Sequence, residues 1–306
     1  MRALVARRLD GPEAIELIET AVPEPDAGQV RIKVAAAAVN PVDLAVAGGL
    51  AVTFGLTASR EQFGLGWDVA GTVDATGPGT DLSPGTAVIG VADLLGRPLK
   101  THAEYVVLDA DAVTPAPEGM DPVAAATIGL NALTALQALD TLKLTPGQTV
   151  LVTGAAGGVG GYAVELAHHF GLQVIASAAA QDEELVRRLG ADHFVPGPTE
   201  VRRIVPAGVD GLLDAAVIGI GAQEAVRNHG RHAHLQGGPK PPHLRGITVD
   251  QVFVHANRPQ LTQLSQLAAA GAISTRVADT YPLTDAVPAY SRLAKGGVRG
   301  RLVLVP

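Results

Sequence analysis

The chain has 306 residues, of which 47% are hydrophobic and 17% charged, with a net charge of −7 and no cysteine. That is enough for about two domains with a real apolar core, and it excludes disorder, disulfides, thiolate catalysis and thiolate zinc sites. The acidic balance speaks against nucleic acid or an anionic membrane as a partner, although a local basic pocket for a phosphate remains compatible with it. Aromatic residues are only 3%, so Ala, Val, Leu and Ile must build the core, as in buried parallel sheets and their covering helices. The N-terminal "MRALVARRLDGPEAIEL" lacks an apolar run followed by a cleavage site, and no stretch is read as a membrane span. A cytoplasmic location is expected.

In chain order, residues 1–120 show short β-like runs between Gly and Pro: "QVRIKVAAAAV" (Gln29–Val39), "DVAGTVDATG" (Asp68–Gly77), "TAVIGVA" (Thr86–Ala92) and "HAEYVVLDADAV" (His102–Val113). Such spacing predicts a barrel or sandwich-like unit. The texture changes at "PAPEGMDP" (Pro115–Pro122). A helical region is expected over Pro122–Leu139, then a strand at Thr149–Ala155, a helix at Gly160–Phe170, a strand at Gln173–Ala178 and a helix at Asp182–Gly190. Strands follow at Val209–Val217, Arg231–Gln236 and Gln251–Ala256. This alternation predicts βαβ units and a parallel sheet. The C-terminal segment, ending in "GRLVLVP", returns to the first texture and is expected to rejoin the N-terminal unit. The expected division is 1–120 with 271–306, and 121–270.

One segment carries chemistry: "TVLVTGAAGGVGGYAVELA", in which a strand meets a glycine turn and then a helix. Its register is Ala155-x-Gly157-x-x-Gly160, a dinucleotide fingerprint with Ala155 in place of the first glycine. Gly157 would let the backbone approach a pyrophosphate, and Gly160 would allow close helix–strand packing. The diphosphate would rest on the helix N-terminus at Gly158 and Val159. Glycines that serve only a tight turn are the bland alternative, and the second strand at the right distance outweighs it. An NAD-type site places Asp or Glu at the end of that second strand. Here the sequence reads Ala176-Ser177-Ala178-Ala179-Ala180. A carboxylate would repel a 2′-phosphate, whereas Ser177 leaves room and offers a hydroxyl. NADPH is therefore the expected cofactor. Its basic partner is not evident: Arg187 and Arg188 lie on a helix expected to face solvent, and Arg231 is a distant candidate.

Several segments in order resemble one family. They are "GPEAIELIETAVPEPDAGQVRIKVAAAAVNPVDL", "GWDVAGTVDATGPGTDLSPGTAVIG", "HAEYVVL", "LVTGAAGGVGGYAVELAHHFG", "RLGADHFV" and "PLTDAVPAYSRLAKGGVRGRLVLVP". They span essentially the whole chain. It resembles a zinc-independent member of the medium-chain dehydrogenase/reductase superfamily, in the quinone oxidoreductase branch. The resemblance implies a mixed α/β protein: a GroES-like catalytic domain with an inserted Rossmann domain, and an active cleft at their junction. It further implies hydride transfer from NADPH to a quinone or an α,β-unsaturated carbonyl, in a homo-oligomer, with a dimer as the first expectation. "NPVDL" (Asn40–Leu44) stands where zinc-dependent relatives carry a catalytic Cys motif, and "GWDVAG" (Gly66–Gly71) where they carry Gly-His-Glu. With no cysteine, neither zinc site of those relatives can form. Without a Lewis acid to ionise an alcohol, reduction of an activated C=C or a quinone fits better.

By the same resemblance, Asn40 lies near nicotinamide and substrate and could donate a hydrogen bond to a carbonyl gaining charge; as a turn asparagine before proline it is equally well explained. Asp43 is read as structural. Phe54, Tyr105, Thr127 and Asn131 are candidates for the substrate pocket, with Thr127 also near the cofactor. Tyr105 is first a strand residue with a structural hydroxyl, and Trp67 a packing residue. Gln236, Gly237 and Gly238 resemble the family's loop beside the nicotinamide. Val254 resembles a residue of a cofactor-lining strand, and Arg299 and Arg301 are candidates to approach the phosphates, with surface exposure the equal alternative. His229, His232 and His234 form a cluster; His232 and His234 share a strand face. No third ligand of clear spacing accompanies them, so no metal is expected there. Two other functions fit the same fold: a tailoring enoyl reductase of a polyketide or acyl-thioester intermediate, and a catalytically inactive protein that senses NADPH.

Overall fold

The structure is a computed structural model and describes residues 1–306. The chain forms two compact units: Met1–Leu130 with His255–Ala269 and Thr275–Pro306, and Asn131–Val254 with Ala270–Ser274.

In the first unit a seven-stranded sheet is built around the strand Gln29–Val39. Its first half alternates, with Val30, Ile32 and Val34 inward and Lys33 outward; from Ala36 to Val39 both faces are buried. It pairs antiparallel with Asp68–Thr76, Tyr105–Asp109 and the C-terminal strand Arg301–Val305. The chain end thus returns to the first unit as its texture implied. A smaller sheet joins Ile15–Glu19, Arg2–Ala6 and Phe63–Gly64.

In the second unit six strands are all parallel: Thr149–Thr153, Gln173–Ser177, His193–Val195, Val209–Asp214, Val226–Leu235 and Thr248–Val252. Taken in chain order as first to sixth, they lie 3-2-1-4-5-6 across the sheet. This is the order of a doubly wound dinucleotide fold, in which ligands bind beyond the C-terminal strand ends where the order reverses. Val150, Leu151 and Val152 are fully buried, as strands covered on both faces must be.

Four expectations are corrected. The helix expected over Pro122–Leu139 is two helices, Pro122–Ala125 and Gly129–Leu142. The break falls where the Asp68 carboxylate accepts the Leu130 N–H and so caps the second helix; a Cβ at Gly129 would sit 2.6 Å from Asp68 Oδ1. This 21-residue stretch, Pro122–Leu142, is long and apolar enough to cross a membrane, but 78% of its apolar window is buried within the protein. It is a core segment, although its length and composition satisfy the criteria for a span. The strand expected over His102–Val113 is interrupted by a 3-10 turn at Ala110–Ala112. Finally, the unit boundaries lie at Leu130 and Val254 rather than 120 and 270. The helix Arg258–Ala269 belongs to the first unit because Thr262 and Thr114 share a hydroxyl hydrogen bond of 2.7 Å, and Ser265 Oγ donates to the Pro115 carbonyl.

Candidate functional site

In the first unit the turns "AVNPVD" and "GWDVAG" come together. Asn40 caps the short helix Pro41–Ala47, and its backbone N–H donates to Asp43 Oδ2 at 2.9 Å. Asp43 Oδ1 accepts the Gly66 N–H at 2.8 Å and so ties the two turns. The Asn40 amide donates to Asp68 Oδ2 at 2.7 Å and to the Ala38 carbonyl at 3.3 Å. Both amide protons are therefore engaged inside the unit, and a substrate oxygen would have to compete for one of them.

Asp68 is fully buried, and burial pushes its carboxyl up to about 7 against the opposing hydrogen bonds from Leu130 and Asn40. Nearby, Lys100 is 2% exposed and its Nζ has no hydrogen-bond partner; it lies 3.7 Å from the centroid of the Trp67 ring. Burial lowers its ammonium to about 7, while the ring face favours the charged form. His102 Nε2 faces the Ala38 carbonyl at 3.0 Å, which can only accept. The proton is therefore on Nε2, and Nδ1 accepts from the Tyr290 hydroxyl at 2.7 Å.

Zinc-dependent chemistry does not fit this set. Asn40 and Trp67 offer no thiolate or imidazole, and the carboxylates of the two turns, Asp43 and Asp68, each already accept from two donors. No step is derived through a metal at these residues.

In the second unit the glycine turn connects Thr149–Thr153 to the helix Gly158–His169, with Gly157 as its N-cap. A Cβ at Gly160 would lie 2.1 Å from the Gly154 carbonyl oxygen and 2.9 Å from Ala155 Cα. Glycine is therefore required for the helix to seat on the turn. Gly154 itself adopts φ +59, and a Cβ there would meet Ala216. Ala155 N donates to the Ser177 carbonyl, which holds the turn against the end of the second strand. The first N–H groups of a 12-residue helix then point beyond the strand ends, with no partners within the helix. This cradle fits the pyrophosphate of a dinucleotide.

Asp214 walls the same edge. Its carboxylate accepts from Thr153 Oγ1 at 2.6 Å and from the N–H groups of Ile218 and Gly219 at 3.1 and 2.7 Å. Burial would raise it, but the facing His232 imidazole together with these donors outweighs that and holds it at about 2. His232 Nε2 and His234 Nδ1 stand 3.7 and 3.6 Å away, too far for hydrogen bonds. The third group absent from the local histidine spacing is thus Asp214, brought in from the neighbouring strand, where it pairs with His234. His229 is exposed and apart from them.

The remaining candidates scatter. In the first unit Phe54 is 69% exposed. Tyr105 is half-buried in its strand, with the Arg31 guanidinium 5.9 Å from its ring centroid. Thr127 is buried and donates to the Ala124 carbonyl, and Arg299 is exposed. In the second unit Asn131 is 5% exposed near the start of its helix. Ser177 is buried at a strand end. Gln236 accepts from Gln251, and Gly237 and Gly238 follow in the same loop, with Gly237 at φ +152. Val254 is half-buried just past the strand Thr248–Val252. Arg187 and Arg188 are committed to Glu183 and Glu184 on their own helix.

Sequence reading did not single out Asp68, Lys100 or Asp214 as site residues. The available signal was an ionisable residue set inside an apolar strand or beside one, in "GWDVAG", "RPLKTHAEY" and "GLLDAAV".

Fold and site together define a dinucleotide-binding protein with a GroES-like unit. Residues 26–118 match the family model "Alcohol dehydrogenase GroES-like domain", and residues 189–304 match "Zinc-binding dehydrogenase". The chain is 30% identical to an NADPH-dependent alkenal/one oxidoreductase of Arabidopsis thaliana, covering 100% of this chain and 80% of that one. It is 28% identical to a quinone oxidoreductase of Sus scrofa, covering 100% and 98%. Among solved structures, an NAD-dependent alcohol dehydrogenase superposes with a TM-score of 0.88 at 31% identity over the whole of both chains. The chain belongs to the medium-chain dehydrogenase/reductase superfamily, with the quinone oxidoreductases and enone reductases.

Proposed function

We propose that the protein is an NADPH-dependent, metal-free reductase of quinones or α,β-unsaturated carbonyls. The observation that carries this reading is the replacement of a zinc ligand set by the Asn40–Asp68 pair, in a chain whose second unit retains a complete dinucleotide cradle. The relatives named for alkenal/one and quinone reduction support the substrate class.

Residues 154–160 would hold the pyrophosphate, and bound there the cofactor supplies a hydride. NADPH rather than NADH follows from Ser177 at the strand end, where no carboxylate is present to hold the ribose hydroxyls or repel a 2′-phosphate. The name of the solved NAD-dependent relative points the other way, and Ser177 is the local chemistry that favours NADPH in this chain.

In the first unit Asn40 is the group offered to the substrate oxygen. Its amide is held by Asp68, whose carboxyl changes charge near neutrality. A protonated carboxyl is a weaker acceptor than a carboxylate, so protonation of Asp68 frees an amide N–H for the oxygen on which charge develops. Hydride addition to the electron-poor carbon and a proton from solvent complete the reduction.

The test is the rate of NADPH oxidation with a panel of quinones and enones. Dinucleotide binding without turnover of either class would contradict the proposal and leave the sensing protein as the reading.

A further inference from the structure

We propose that Asp214, His232 and His234 form a buried structural site for one divalent transition-metal cation of the zinc type. It lies beneath the C-terminal edge of the parallel sheet and differs in position and ligands from the zinc sites of zinc-dependent relatives.

The three side chains offer ligand atoms that all lie within 4.8 Å of one another. Asp214 Oδ2 is 3.7 Å from His232 Nε2 and 3.6 Å from His234 Nδ1. Tetrahedral zinc with ligands at about 2.0–2.1 Å separates them by roughly 3.3–3.4 Å, so each imidazole needs to close on the carboxylate by only a few tenths of an ångström. The backbone that carries the groups is rigid. His232 and His234 share one face of the strand Val226–Leu235, and Asp214 ends the adjacent strand.

The side chains are completely enclosed, with exposures of 0, 1 and 0% for His232, His234 and Asp214. Yet neither nitrogen of His234 has a hydrogen-bond partner, nor has Nε2 of His232. Buried imidazoles without partners are costly and uncommon, and here His232 Nε2 and His234 Nδ1 stand across from a carboxylate. A cation between them would satisfy both. The other carboxylate lone pairs are already fixed by Thr153, Ile218 and Gly219; such donors orient a metal-binding carboxylate. Two imidazoles and one carboxylate suit zinc or cobalt and not magnesium or calcium, which take oxygen ligands.

Loading has one requirement. Gln223 Nε2 now faces His232 Nδ1 at 3.3 Å and donates to the Pro242 carbonyl at 3.0 Å. With a metal on Nε2, Nδ1 must carry the proton, so the Gln223 amide must turn to present Oε1, which is buried without a partner. The enclosure excludes substrate, so the cation's role is structural: it would pin the loop after Asp214 beneath the glycine turn.

The test is to unfold the whole chain in chelator and refold it with Co²⁺ or Zn²⁺. The expected result is one ion per chain by mass spectrometry, a ligand-field absorption for Co²⁺ and a rise in melting temperature. H234Q should weaken binding at least tenfold, and H243N, at an exposed position, should leave it unchanged. If H234Q does not fold, X-ray absorption of the zinc-loaded wild type decides, and the expected first shell has two imidazoles and a carboxylate. No stoichiometric ion in the wild type, equal binding by folded H234Q, or a shell without two imidazoles would overturn the proposal.

Discussion

Asn40 and Asp68 are 28 positions apart in the chain and 2.7 Å apart in the folded unit. Asn40 was legible as a candidate through the family resemblance of "AVNPVD", since an asparagine before proline is by itself an ordinary turn residue. Its partner was not, since nothing local to "GWDVAG" reveals which residues meet Asp68 across the sheet. The pairing sets a concrete expectation. N40A should lower kcat by about 100-fold or more, the scale for losing an oxyanion donor, with NADPH binding unchanged and a stability loss of about 1 kcal/mol from the cap. Steady-state rates and a cofactor titration would separate the two effects. In D68N the acceptor no longer titrates, so the limb of the kcat–pH profile near pH 7 should vanish. At Ser177 the expectation concerns cofactor choice. S177D places a carboxylate where a 2′-phosphate would lie and should weaken NADPH by on the order of tenfold or more, while NADH is weakened less or gains.

At the scale of the element, the glycine turn was the most legible feature of the chain, because strand, turn and helix each leave a local signature. Its geometry gives Gly160 a stricter role than the fingerprint alone. G160V would force atoms against the Gly154 carbonyl, so dinucleotide affinity should fall at least tenfold and stability by about 1–3 kcal/mol, the usual cost of overpacking. Calorimetry and a melting curve check both. The helix break at 126–128 was not legible. Its cause, the Asp68 carboxylate capping Gly129–Leu142 from another strand, is a tertiary contact that periodicity cannot carry. The same holds for Asp214. The two histidines were visible by their alternation, but the carboxylate that completes the cluster comes from a parallel neighbour.

For the whole molecule, the return of the C-terminal strand and the parallel α/β order were readable from texture. The assignment of Arg258–Ala269 to the first unit was not, since it rests on hydroxyl contacts to Thr114 and Pro115. Two enclosed ionisable groups give stability an uncommon pH profile. Asp68 is raised to about 7, so its contribution is full below about pH 4 and is lost as pH rises to 7, by on the order of 4 kcal/mol. Lys100 is lowered to about 7, so its contribution is full above about pH 10.5 and is lost as pH falls through 7. Together they place a minimum near neutrality. Denaturant titrations from pH 5 to 10 should show it, with D68N flattening the acid side and K100M the alkaline side. A profile with no change in D68N would contradict the raised carboxyl.

The most direct measurement is an initial-rate comparison on one preparation: NADPH and NADH oxidation with a quinone and an enone, beside NADP⁺ reduction with primary and secondary alcohols. The expected result is turnover of the quinone or enone with a lower KM for NADPH than for NADH, and none of the alcohols. Alcohol oxidation without quinone or enone reduction would contradict the metal-free reductase, and a lower KM for NADH would contradict the role given to Ser177.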